Sequence, residues 1–232
     1  MKKLYILLIF SILLSTNSFA AGDGDEKDGP VTVYGGVDAV SSYIFRGADC
    51  AGASLQPSIG FAAGGFKAGI WGSTDTQWDI KEFDLCAGYS VAGLTLGVTD
   101  YFGPFHKADG MKYGYWDNHI DEGMVSYDFS VLCGAGLTLA WYTNFAGDDD
   151  YSSYFNAAYT FSLHGTDCTA SVGLTPYKGI YKDKFCFTDI SLKASHSIAL
   201  TPTLELPLFV QAIFSPVADN AFLVAGLSLT LP

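Results

Sequence analysis

From Val31 onward the chain alternates apolar residues with polar or small ones, and turn residues cut it into segments about ten residues long. A period of two places one residue set on each face of a strand. Twelve such segments are predicted, at about 31–45, 54–64, 66–74, 80–91, 94–103, 120–131, 136–145, 151–163, 167–176, 184–197, 203–214 and 219–231. The last is among the clearest: Leu223, Ala225, Leu227, Leu229 and Leu231 fall on one side, with Val224, Gly226, Ser228 and Thr230 on the other. The connections alternate too. Gly64-Gly65, Ala92-Gly93, Gly134-Ala135-Gly136, His164-Gly165-Thr166 and the 199–202 turn are short, while loops near 46–53, 75–79, 104–119, 146–150, 178–183 and 215–218 are longer and polar. Short turns on one rim and longer loops on the other are the pattern of an up-and-down transmembrane barrel. An even strand number leaves both chain ends on the short-turn rim.

The face opposite the apolar one carries charge in mid-strand. Alternation turns Asp38, Glu82, Asp84, Glu122, Asp128 and Glu205 away from lipid, with Lys67 and Lys193 as scattered basic partners. A sandwich core would not hold so many charges, whereas a hydrated lumen would. These eight are the candidate lumen-lining residues. Aromatic residues gather at strand ends beside the longer loops: Tyr43, Phe45, Tyr101, Phe102, Tyr113, Tyr115, Trp116, Tyr142, Phe145, Tyr151, Tyr154, Phe155, Tyr177 and Tyr181. Their position predicts an aromatic girdle at the membrane surface. Arg46, the chain's only arginine, stands among acidic neighbours where the first strand meets its loop. It is the candidate pore-mouth residue, either bridging lumen carboxylates or standing solvated at the rim.

The N-terminus changes the picture by adding export. Lys2 and Lys3 precede an apolar run from Leu4 to Leu14, and Ser18-Phe19-Ala20 offers small residues at a cleavage point. This is the layout of a secretory signal, too short to span a bilayer as a helix. Residues 1–20 are thus expected to be a signal peptide cleaved near Ala20, 21–30 a flexible acidic leader, and 31–232 the barrel domain. Without Lys2 and Lys3 the charge is near −14, which argues against nucleic acid as a partner. Cys50, Cys86, Cys133, Cys168 and Cys186 are odd in number and contain no CxxC pair, so they read as small strand residues with at least one free thiol.

Candidate chemistry is sparse. In Ser195-His196-Ser197 the histidine points to the opposite face from both serines, so the triplet is no nucleophile–base pair by itself. His106, Asp109, Asp117, His119 and Asp121 in the longest loop match no ordered metal-ligand spacing, and Asp148-Asp149-Asp150 reads as a solvated loop tip. No cofactor and no metal are expected, and no enzymatic activity.

Tyr43-Ile44-Phe45-Arg46-Gly47, then Ala68-Gly69-Ile70-Trp71-Gly72-Ser73, then Glu82-Phe83-Asp84-Leu85-Cys86-Ala87-Gly88-Tyr89 follow one another in an order that resembles the Gcw_chp/TorF family of bacterial outer-membrane proteins. Asp121-Glu122-Gly123 and Tyr154-Phe155-Asn156-Ala157 resemble its second half. The resemblance is specific between about 43 and 101. It implies a signal peptide, a barrel of this size and a porin or channel role.

The expectation is therefore an all-β, antiparallel up-and-down transmembrane β-barrel of about twelve strands in a bacterial outer membrane. Its function would be porin-like passage of small solutes or cations. A closed barrel with a structural or surface role, and a soluble secreted ligand-binding β-sandwich, are the alternatives. Expected partners are outer-membrane lipid and lipopolysaccharide, the barrel-assembly machinery and small solutes.

Overall fold

The computed structural model describes residues 31–106, 119–201 and 204–230. In chain order the strands are Thr32–Val40 (β1), Tyr43–Phe45 (β2), Ala48–Ala51 (β3), Ser54–Ala63 (β4), Phe66–Asp75 (β5), Ile80–Val91 (β6), Leu94–His106 (β7), His119–Asp128 (β8), Leu137–Ala146 (β9), Ser153–Leu163 (β10), Thr166–Thr175 (β11), Cys186–Thr201 (β12), Leu204–Ser215 (β13) and Asn220–Thr230 (β14), with one short helix, Ser130–Cys133 (α1), between β8 and β9. Strands β1 and β4 to β14 form one closed antiparallel barrel of twelve strands, each paired with its barrel neighbours, and β1 closes it against β14. The sandwich alternative is thereby set aside. Among the described residues no helix is long and apolar enough to cross a membrane.

Local sequence explains the turns. At Ala92-Gly93 and His164-Gly165 both residues have positive φ (48° and 84°, 50° and 80°), the geometry whose twist suits a two-residue hairpin. The β8–β9 connection is longer than its Gly134-Ala135-Gly136 signal predicts. Asp128 Oδ1 accepts the Ser130 N–H at 2.8 Å and starts α1, and Gly134 (φ 71°) ends it. A bulge between Lys81 and Phe83 faces Gly103, whose φ of 133° only glycine adopts easily.

Alternation then sorts the side chains. Leu55, Ile59, Phe61, Ile70, Leu94, Leu96, Val98, Leu192, Val210 and Leu223 point outward and are exposed. Trp71, Asp84, Thr95, Glu122, Ser126, Tyr142, Asn144, Asn156, Ser191, Lys193 and Gln211 point inward and are buried. This is a water-soluble protein turned inside out. Its polar groups meet one another inside, and its apolar surface needs hydrocarbon around it. All five cysteines are free thiols.

One segment departs from the expected course. The predicted first strand, 31–45, breaks after Val40. Tyr43–Phe45 pairs with Ala48–Ala51 as a separate two-stranded hairpin. β1 then resumes its barrel pairing directly with β4. The loop predicted at 46–53 is this hairpin, and it lies inside the barrel. Tyr43 and Ala51 are buried with Trp71 of β5, and their ring contact is edge-on with centroids 5.6 Å apart.

Candidate functional site

The hairpin brings Arg46 into the long-loop half of the lumen. Arg46 takes a left-handed backbone (φ 48°) at the turn, followed by Gly47 at φ 82°. A Cβ at Gly47 would lie 2.2 Å from the Thr188 carbonyl oxygen, so the tip rests directly on the β12 wall. Ordering such a turn around an arginine costs about 1–2 kcal/mol against a relaxed backbone. The contacts of the side chain offset it.

Those contacts converge on the guanidinium. Nη1 donates to Glu122 Oε2 at 2.5 Å and Nη2 to Glu122 Oε1 at 2.8 Å, a bidentate fork. Nη1 also donates to the Tyr181 hydroxyl at 2.5 Å. The guanidinium carbon sits 4.4 Å from the Tyr154 ring centroid, 4.6 Å from Tyr142, 4.8 Å from Phe45 and 5.8 Å from Tyr181. All are within cation–π range. Further bonds fix the wall groups. Tyr101 donates to Glu122 Oε1 at 2.9 Å. Tyr154 donates to Asp189 Oδ1 at 3.0 Å, Thr188 donates to the same oxygen at 2.8 Å, and Asn156 donates to the Tyr154 hydroxyl at 3.2 Å. Arg46 is 7 % and Glu122 2 % exposed, so the pair is withdrawn from water.

The candidate residues spread through the lumen unevenly. Glu122 and Arg46 meet in this pair, so Arg46 bridges a carboxylate and is not a solvated rim charge. Glu82 and Asp84 stand on adjacent inward positions of β6 near the hairpin, opposite Ser73 and Trp71 in register. Asp84 Oδ1 and the Trp71 indole N–H are both buried without a hydrogen-bond partner among the described residues. Asp38 and Lys193 line a cavity of about 40 Å³ with Tyr43 and Ile44 of the hairpin and with Trp71 and Gln211 of the wall. Lys193 also lies 4.2 Å above the Phe209 ring. Lys67 is inward and half-buried near the short-turn rim. Asp128 serves the β8–β9 turn, and Glu205 is exposed at the short-turn end of β13.

Several functional groups escaped the sequence. Tyr101, Tyr142, Tyr154 and Tyr181 were expected in an outer girdle but surround the hairpin inside, and Tyr43 belongs to the hairpin itself. Phe145, Tyr151 and Tyr177 are exposed, as a girdle requires. Tyr113, Tyr115 and Trp116 lie outside the described residues, as do residues 1–30. Asp189 shares its inward parity with Ser191 and Lys193, a signal that was available. Tyr181 sits in a loop and gave none.

Of the remaining candidates, Asp109 and Asp117 also lie outside the described residues. The His119 ring nitrogen is 2.5 Å from Asp100 Oδ1, on the outward face beside Phe102. His196 points outward, its ring nitrogen 3.1 Å from the Gly165 carbonyl oxygen. On the rim, burial opposes ionisation of Asp148. Hydrogen bonds from Ser152, Asn144 and the Asp150 N–H outweigh it and hold the carboxyl below its ordinary value.

A family model described as a bacterial protein of unknown function, Gcw_chp, matches residues 24–210. No curated protein matches the sequence. Among solved structures, variants of the Rhodopseudomonas blastica porin are similar to the chain. One is 16 % identical over 87 % of this chain and 73 % of the porin, with a TM-score of 0.41. Another is 13 % identical over 90 % and 81 %, with a TM-score of 0.39. A triple mutant is 13 % identical over 77 % and 55 %, at 0.38. The chain thus spans 55 % of the length of the first solved structures it matches.

Proposed function

The chain belongs to the Gcw_chp family of bacterial proteins of unknown function, and from that premise we propose that it is an outer-membrane barrel acting as a narrow conduit for small, preferably cationic solutes. The conduit is held in a restricted state by the β2–β3 hairpin. The observation that carries this reading is the Arg46–Glu122 pair, which pins a non-wall element across the lumen of a closed barrel. An element that crosses a lumen without belonging to any barrel ladder can leave it with the wall intact. The charge balance supports cations. Inward carboxylates at Asp38, Glu82, Asp84, Glu122 and Asp189 face Arg46, Lys67 and Lys193, and low-dielectric walls concentrate the resulting field. The apolar outer face supports a membrane setting. An export signal at 1–20 would bring the chain there.

A closed barrel with a structural role is the second reading. It is favoured by the size of the cavity beside Lys193, about 40 Å³, room for only a few waters. Planar-bilayer recording of the refolded protein under a salt gradient separates the two. Discrete steps with a cation-selective reversal potential are expected. Replacing 42–53 by a short Gly-Ser turn is expected to enlarge them. Silence from both proteins, once inserted, would overturn the conduit and leave the closed barrel.

A further inference from the structure

The groups that hold the Arg46 guanidinium belong almost entirely to the wall. Glu122 comes from β8, Tyr142 from β9 and Tyr154 from β10, while Tyr181 comes from the β11–β12 loop. Of the contacting groups, only Phe45 travels with the hairpin. Two of these wall groups are also fixed independently of Arg46, since Tyr101 holds Glu122 and Asp189 holds Tyr154. Gly173 is part of the same arrangement. A Cβ there would lie 2.3 Å from both Asp189 Oδ1 and the Tyr154 hydroxyl, so the bare backbone leaves room for that pair. A cage preorganised in this way keeps its shape when its occupant leaves.

We propose that this cage is a guanidinium-recognition site of the barrel wall, occupied in the present state by the chain's own Arg46, and that a solute carrying a monoalkyl guanidinium takes its place when the hairpin withdraws. The withdrawal rests on the conduit reading; the cage does not. The class of solute follows from the bonds. Two parallel N–H···O bonds from separate nitrogens to the two Glu122 oxygens need a planar fork, which an ammonium lacks. Flat cations suit the tyrosine rings that surround the guanidinium. The Arg46 Nε has no partner among the described residues, so the cage reads the two terminal nitrogens and leaves the substituted one unread. Any alkyl chain can therefore hang from that nitrogen.

Arg46→Ala empties the cage in the full chain, and methylguanidinium is the probe. Isothermal titration of the refolded variant is expected to show saturable millimolar binding. Methylammonium and tetramethylammonium, which lack the paired donors, should bind at least about tenfold more weakly. Adding Glu122→Gln should abolish the difference between the probes. If Arg46→Ala fails to refold alone, its refolding yield in millimolar methylguanidinium becomes the readout. Rescue by methylguanidinium and not by methylammonium supports the cage. No binding and no rescue, or equal effects of all three cations, overturns it. Potassium conductance of the unmodified protein is recorded in parallel. A silent barrel whose Arg46→Ala variant still binds methylguanidinium would sink the conduit and keep the site.

Discussion

Two buried cations stand in one lumen, and they reach it by opposite routes. Arg46 is carried in on a hairpin outside the barrel ladder and is clamped by a bidentate carboxylate beneath tyrosine rings. Lys193 is part of the wall itself, on β12, over the ring of Phe209 and sharing a small cavity with Asp38. Moving Lys193 means breaking ladder bonds to β11 and β13. Moving Arg46 means breaking side-chain contacts only. Similar charge chemistry therefore lines the wall at Lys193 and, at Arg46, latches a non-wall element to it.

The strongest way to break this contrast is to remove one partner of the latch. Glu122→Ala leaves the guanidinium buried without its carboxylate and is expected to cost about 3–5 kcal/mol in urea unfolding of the refolded barrel. Asp38→Ala, the matching change beside Lys193, should cost less than half as much. Equal losses would mean that the two cations are held alike. Next in size is Tyr154→Phe, which removes the hydrogen bond to Asp189. A loss of about 1.5–3 kcal/mol in the same measurement is expected for a bond to a charged group. Gly47→Ala forces a side chain into the left-handed region and onto the Thr188 carbonyl, for about 1–2 kcal/mol. It should also raise single-channel conductance by shifting the hairpin, whereas a change confined to the lining, such as Lys193→Met, should alter ion preference more than conductance.

The smallest effect lies outside the lumen and sharpens its boundary. The Asp148 carboxyl is held below its ordinary value in the folded rim, so its stabilisation is complete above that ordinary value, about 4. It is lost as the pH falls through the lower folded value. Unfolding midpoints of the unmodified protein and of Asp148→Asn should differ slightly near neutrality and converge in acid, with conductance unchanged between them.

The wall was legible because period two is a direct readout of which side a residue faces. Leu94, Leu96 and Val98 declare the outer face, and Glu82, Asp84 and Glu122 the inner one. The hairpin was illegible for the same reason. Tyr43-Ile44-Phe45 keeps the alternation of the strand before it, so nothing local marks the point where the chain leaves the wall. The break is tertiary: the β1–β4 ladder ends at Val40–Ser54, and the chain beyond it turns inward so that β2 pairs with β3. Counting aromatics near loops misassigned Tyr142 and Tyr154, because proximity to a rim does not say which face of the strand they occupy. Their parity, shared with Ala140 and Asn156, placed them inside all along.

The seam of the barrel has an entropic meaning. Among the described residues β1 and β14 are joined by five residue pairs, from Gly36–Thr230 to Val40–Gly226, and these partners stand almost the whole barrel sequence apart. All the other barrel ladders join wall strands consecutive along the chain, so closing the seam carries the largest loss of chain entropy. Ser41, where the chain departs toward β2, is stitched to that seam. Its N–H donates to the Ala225 carbonyl at 2.8 Å and its hydroxyl accepts from the Ala225 N–H at 2.9 Å. The stem of the hairpin is thus tied to the strand pair that closes the wall, so forming the seam and anchoring the hairpin share the same bonds.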